Sequence, residues 1–334
     1  MKRHGILFLI LVAFAAAFTA CRRTDKEGFV RVKLQADSLT VAQDAKTFQW
    51  TLCGDRAVVC PTDSLQRFSV FAVPGWEPID TFRLRQDDPP RFQAAGLFDT
   101  PASDTSLCVF DMGASRFSRF SVEKDGARLV ADYAPLPKKV YVNALALSDS
   151  VLLAGNMDYL EKSYFVSVID PRSGEKQQDV PCQTFLDDMF QPVNYPYLAA
   201  SGDRVALIYR NYRRIEYFQL RPDGRLAFVR SAGSEYDLAG AKALKKALTP
   251  LDGPVDTDYG DRYIYLLENA VVAGKIVASR IEVFDWEGNG LYRLQLDRPA
   301  NKILADERSG QIYAVNTTLD KDRLYLYDIK KILE

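Results

Sequence analysis

The run RIEVFDWEGNG, Arg280 to Gly290, decides the fold. Ile281 and Val283 alternate with Glu282, as in a strand with one buried face, and Gly288-Asn289-Gly290 supplies the positive-φ residues that a tight turn demands. Shortened copies of the strand recur along the chain: RFSVF ends at Phe71, RFSRF at Phe120, FVSVI at Ile169, RIEYF at Phe218, RIEVF at Phe284 and RLYLY at Tyr327. The first three intervals are each 49 residues, the fourth 66 and the last 43. A fixed period of this size marks stacked or radial supersecondary units. The long interval contains SEYDLAGAKALKKALTPLDG (234 to 253), the one helix-like pattern after the leader, and insertions in loops account for such drift.

Each anchor is preceded by a second β-rich run: DRAVVC (55 to 60), DTSLCVF (104 to 110), DSVLLA (149 to 154), DRVALIY (203 to 209), DRYIYLL (261 to 267) and GQIYAV (310 to 315). Weaker strands lie upstream, such as VYVNALAL (140 to 147) and NKILAD (301 to 306), and a fourth follows the turn, such as RLVADY (128 to 133) or RLAFVR (225 to 230). Four strands per unit and six units predict an all-β, six-bladed β-propeller. Only seven residues follow Tyr327, too few for a turn and a fourth strand, so an N-terminal strand must close the last blade. FVRVKL (29 to 34), with Val30, Val32 and Leu34 alternating with charges, is the expected donor.

The first twenty residues read as a signal peptide: Lys2 and Arg3, an apolar stretch from Ile6 to Phe18 too short to span a bilayer, then Thr19-Ala20-Cys21. Small residues before a cysteine predict a lipoprotein site with Cys21 lipidated, residues 21 to 28 as the tether and 29 to 334 as the propeller. The location that follows is the outer membrane, on its periplasmic side or at the cell surface. Loss of the leader leaves 41 basic against 44 acidic side chains, a balance that offers no nucleic-acid surface.

The sole histidine, His4, departs with the leader. That excludes Ser-His-Asp and Cys-His mechanisms and the His-bearing metal sites. Cys53, Cys60, Cys108 and Cys182 lie in or beside apolar β runs and read either as buried thiols or as exported disulfides. No metal or cofactor is expected. In a propeller, loops between blades and loops between second and third strands share one face. On it Tyr159, Asp187, Asp188, Tyr195, Tyr212 and Arg213 are the candidate ligand or partner contacts. The recurrent Arg at strand starts (67, 116, 214, 280, 323) and the Asp opening second strands (55, 104, 149, 203, 261) read as structural.

With the lipobox, the blade period, the run 283 to 315 and the LYLYDI ending, the chain resembles the TolB-like six-bladed propeller lipoproteins of Bacteroidetes. The resemblance extends over residues 29 to 334 and implies the fold, with no catalytic residues to carry over. RQDDPPRF (85 to 92) departs from the pattern at Arg91, where relatives have an acid. Two functions follow: a non-catalytic propeller that binds a glycan or protein partner, which is favoured, or a carboxylate-dependent polysaccharide hydrolase or lyase. The enzyme requires two inward-facing acids at the channel mouth, roughly 5 to 10 Å apart.

Overall fold

The computed structural model describes residues 28–40, 48–61, 67–83, 95–98, 105–111, 115–123, 126–136, 140–158, 163–183, 195–210, 212–233 and 254–334. The leader, Cys21 and the expected helix at 234 to 253 lie outside the described residues. Within them the chain folds as six sheets, five of them antiparallel and one mixed. Blade one holds β3 (Phe48–Cys53), β4 (Arg56–Pro61), β5 (Arg67–Ala72) and β6 (Glu77–Arg83). Blade two holds β7 (Ala95–Phe98), β8 (Ser106–Asp111), β9 (Arg116–Glu123) and β10 (Gly126–Asp132). In blade three are β11 (Val140–Ser148), β12 (Val151–Asp158), β13 (Ser163–Asp170) and β14 (Glu175–Pro181), and in blade four β15 (Pro196–Ser201), β16 (Arg204–Tyr209), β17 (Arg214–Leu220) and β18 (Leu226–Gly233). Blade five comprises β19 (Asp256–Tyr259), β20 (Tyr263–Val272), β21 (Lys275–Asp285) and β22 (Gly290–Gln295). Blade six has β23 (Lys302–Asp306), β24 (Gln311–Asn316) and β25 (Asp320–Asp328), after which a single helical turn, α1 (Lys330–Leu333), ends the chain. Every periodic anchor falls on the third strand of its blade.

The closing strand is not the expected one. Residues Val30–Lys33 form β1, which pairs in parallel with β22, Val30 opposite Tyr292, and makes blade five five-stranded. Blade six is completed by β2, Asp37–Thr40, antiparallel to β25 with Asp37 opposite Leu326. The apolar alternation of FVRVKL is real, but its inward residues cover blade five: Phe29 packs edge-on against Phe284 at 5.4 Å, and Leu34 joins Leu294 and Leu296 in a core cluster.

The core lies as wedges between neighbouring blades, because each sheet must bury both faces. Blade six meets blade one through Leu304, Tyr313 and Leu324 against Trp50, Leu52 and Trp76. Blades one and two share Val58, Phe68, Leu107 and Val109, and blades two and three share Phe110, Phe117, Tyr133 and Leu152. Burying one such aromatic or aliphatic side chain contributes roughly 1.5–3 kcal/mol, so the ring stabilises blades that alone would expose two apolar faces. Cys53, Cys60, Cys108 and Cys182 are joined by no disulfide. Burial pushes Cys60 up to about 12, which makes it a packing residue.

Blade five differs in its second hairpin, where β20 and β21 run on past the end of β19. The ribbon turns at Ala273 and Gly274, both at positive φ (50° and 76°), with Val272 and Val277 exposed. Alanine tolerates that conformation poorly. Ala273→Asn is therefore expected to tighten the turn by about 0.5–1 kcal/mol. Slower amide exchange at Val272 and Lys275 would register the gain, and faster exchange would contradict it.

Candidate functional site

The central channel opens where the inner strands begin, on the face that carries the blade-to-blade connections. There a cavity of about 280 Å³ is lined by the inner strands of blades one, three, four, five and six. Gln49 and Trp50 enter from β3, Asn143 from β11, Tyr197 from β15, Asp256 and Asp258 from β19, and Lys302 from β23, with Tyr195 just before β15 and Arg210 just after β16. A strand's side-chain period of two puts Asp256 and Asp258 on the same side of β19.

Neighbouring inner strands are tied across the blades. Trp50 Nε1 donates to Ile303 O at 3.1 Å, Tyr197 Oη to Val255 O at 2.7 Å and Asn143 Nδ2 to Pro196 O at 2.6 Å. Asp256 Oδ2 accepts from the Ile303 N–H at 2.8 Å, and Asp258 Oδ2 from that of Ala305. Above this frame the Arg210 guanidinium lies 4.4 Å from the Tyr197 ring centroid and 5.6 Å from that of Tyr195. Stacking on two rings holds the planar cation at the mouth.

Asp256 borders the channel as a half-buried side chain. Desolvation holds its carboxyl above the usual range, opposed by Lys302, the Ile303 N–H and Arg210. Such a group accepts hydrogen bonds when ionised and donates when protonated. A carboxyl raised in the fold adds stability that is complete below its unfolded value, near pH 4, and is lost as pH rises through the folded value. Asp256→Asn should flatten this fall in urea midpoint from about pH 4 toward neutrality, an unchanged slope being the contrary result. Glu268 and Glu307, also raised by burial, keep part of the slope in the variant.

A second cluster lies between blades four and five. Arg213, in the turn between β16 and β17, donates through Nη2 to Glu282 of β21, whose side chain is only 2% exposed. Arg293 of β22 donates to the same Glu282 Oε1 through Nε at 2.8 Å. Arg280 Nε donates to Glu268 Oε2 at 2.8 Å. Tyr212 and Arg213 line a cavity of about 410 Å³ here, together with Phe29 from the segment before β1.

Of the residues expected from sequence, Tyr195 lies at the channel mouth, whereas Tyr212 and Arg213 belong to the cleft between blades, so these three do not share a cavity. Tyr159, Asp187 and Asp188 lie outside the described residues. The recurrent arginines do form local ion pairs, Arg116 with Asp132, Arg214 with Glu216 and Arg280 with Glu268. Asp55, Asp149, Asp203 and Asp261 stand in turns or bends. Arg210, Asp256 and Lys302 were not singled out. The signal available for the acid was VDTDY (255 to 259), an alternation of acids at the start of an inner strand. Among the described residues no group of three or more His, Cys, Asp or Glu side chains is gathered as a metal site would need.

These features define a six-bladed β-propeller whose channel mouth combines a stacked cation with a half-buried carboxyl. Among solved structures the chain is similar to a member of the DUF4221 family from Bacteroides vulgatus, at 11% identity and a TM-score of 0.53, over 88% of this chain and 97% of that one. It is also similar to a gluconolactonase from Xanthomonas campestris, at 13% identity and a TM-score of 0.52, over 88% and 90% respectively. At these identities the likeness is one of fold. No family model and no curated protein sequence matches the chain.

Proposed function

We propose that this chain is a non-catalytic binding propeller of the TolB-like kind, tethered to the outer membrane by lipid on Cys21, whose channel mouth takes an anionic ligand. The observation that carries the reading is Arg210 stacked on Tyr195 and Tyr197, lining one cavity with Asp256 and Lys302. Two cations suit a carboxylate, the tyrosine rings offer apolar faces with polar ends, and Asp256 exchanges hydrogen bonds with hydroxyls. An acidic sugar, free or within a glycan, fits this set best. An acidic segment of a protein partner presents similar charges but not the row of hydroxyls.

A second reading has its own observation. Asp256 and Asp258 both line the channel, two residues apart on one strand, and the strand repeat puts their Cα atoms about 7 Å apart. Paired-acid hydrolases likewise use two carboxyl groups brought to one site, and one fold neighbour is a gluconolactonase. Binding ranks first because one oxygen of each acid already accepts a backbone N–H of blade six, a blade-joining role.

A glycan array probed with the domain lacking its leader tests the ligand. Retention of uronic-acid-bearing glycans, lost in Arg210→Ala with the melting temperature within a few degrees of wild type, is the expected result. Equal retention by both proteins contradicts the site. The anchor is tested separately: Cys21→Ala should release the protein from membranes, and continued membrane attachment contradicts lipidation.

A further inference from the structure

The cleft between blades four and five shares no lining residue with the channel mouth. Its walls are apolar where Phe29, Ile215, Leu266 and Phe284 meet, and at about 410 Å³ it is of small-molecule size. Glu268 also lines it, as a residue only 6% exposed. While Glu268 Oε2 is taken by Arg280, Oε1 is buried and receives no hydrogen bond; its near cation, Arg213 Nε at 3.3 Å, makes an ion pair without hydrogen-bond geometry. A buried carboxylate oxygen left in this state costs free energy that a donor entering the cleft recovers.

The charge around that oxygen selects the donor. Among the described residues Arg213, Arg280 and Arg293 face Glu268 and Glu282, and Arg214, also on the lining, is paired with Glu216, so an incoming ammonium would add to an existing excess. We infer that the cleft is a second binding site, for a small uncharged molecule with an apolar body against Phe29, Ile215, Leu266 and Phe284 and a hydroxyl on Glu268 Oε1. Burial, and after it the charge of Glu282, favours the protonated form of Glu268 against the opposing Arg280 and Arg213. A hydroxyl suits both forms, donating to the carboxylate and accepting from the acid.

Three probes of one shape separate the contributions: benzyl alcohol, toluene and benzylammonium, titrated into the folded domain while the Ile215 and Leu266 methyl signals are followed by NMR. Benzyl alcohol should shift both signals saturably, with toluene weaker by on the order of tenfold, the effect of one hydrogen bond to a charged group. Benzylammonium should be weaker than the alcohol. Ala232→Phe, which fills the cleft from outer strand β18, should abolish all three responses while binding at the channel mouth persists. Glu268→Gln should narrow the preference for alcohol over toluene to within about threefold. Equal affinity for alcohol and toluene, tighter binding of the ammonium, or no saturable shift overturns the inference. The wild-type comparison and Ala232→Phe decide the matter even if Glu268→Gln fails to fold.

Discussion

Glu282→Ala is expected to lower the unfolding free energy by about 3–5 kcal/mol, the usual result of removing one member of a buried ionic group. Glu282 Oε1 receives Arg213 from blade four and Arg293 from blade five, so one carboxylate clamps two blades together. Without it, two guanidiniums face each other across an apolar cleft beside Phe29, which Arg293 already stacks on at 4.6 Å. Arg213→Ala should cost less, because its side chain is 28% exposed and Arg293 continues to satisfy the acid. Urea unfolding of the two variants measures the difference. A loss under about 1 kcal/mol for Glu282→Ala would show that the pair is screened like a surface salt bridge.

Truncation gives the second large effect. A chain beginning at Ala42 lacks β2, leaving β25 with an open edge and blade six with no link to blade one through the N-terminal strand. Leu39, packed on the core between those blades, goes with it. Such a chain should aggregate or melt about 10 °C or more below the parent, a shift corresponding to several kcal/mol. A chain beginning at Gln35 keeps β2 and loses β1 with Phe29 and Leu34, so its melting temperature should fall by less. If the two truncations lost the same stability, closure would depend on β1, as the apolar alternation of FVRVKL alone had indicated.

That contrast shows what the sequence carries and what it does not. The third strands are buried on both sides between blades and keep a constant pattern, so Phe71, Phe120, Ile169 and Phe218 mark the architecture plainly. Outer strands face solvent and carry little of it. DSLT offers one half-buried residue, Leu39, too little to mark a strand, although it completes the ring. Inner strands are legible in part: NKILAD (301 to 306) reads as a strand, but nothing local marks Lys302, or Asp256 at the start of the four-residue β19, as lining the channel until the ring closes around them. The tie between Arg213 and Glu282 joins residues 69 apart, which no local pattern reveals. Tyr195 was legible because an aromatic residue in a connecting loop suggests contact by its chemistry alone.

The raised carboxyl of Asp256 serves binding and hydrolysis equally well in principle, and turnover separates the two. The deciding measurement is a titration of uronic acids and their oligomers with wild-type protein and Arg210→Ala, the same samples being followed by proton NMR for a day. Saturable binding to wild type, weakened at least about tenfold by the substitution and with every ligand recovered unchanged, is the expected result. Conversion of any of these ligands by wild type, abolished in a folded Asp256→Asn protein, would contradict it.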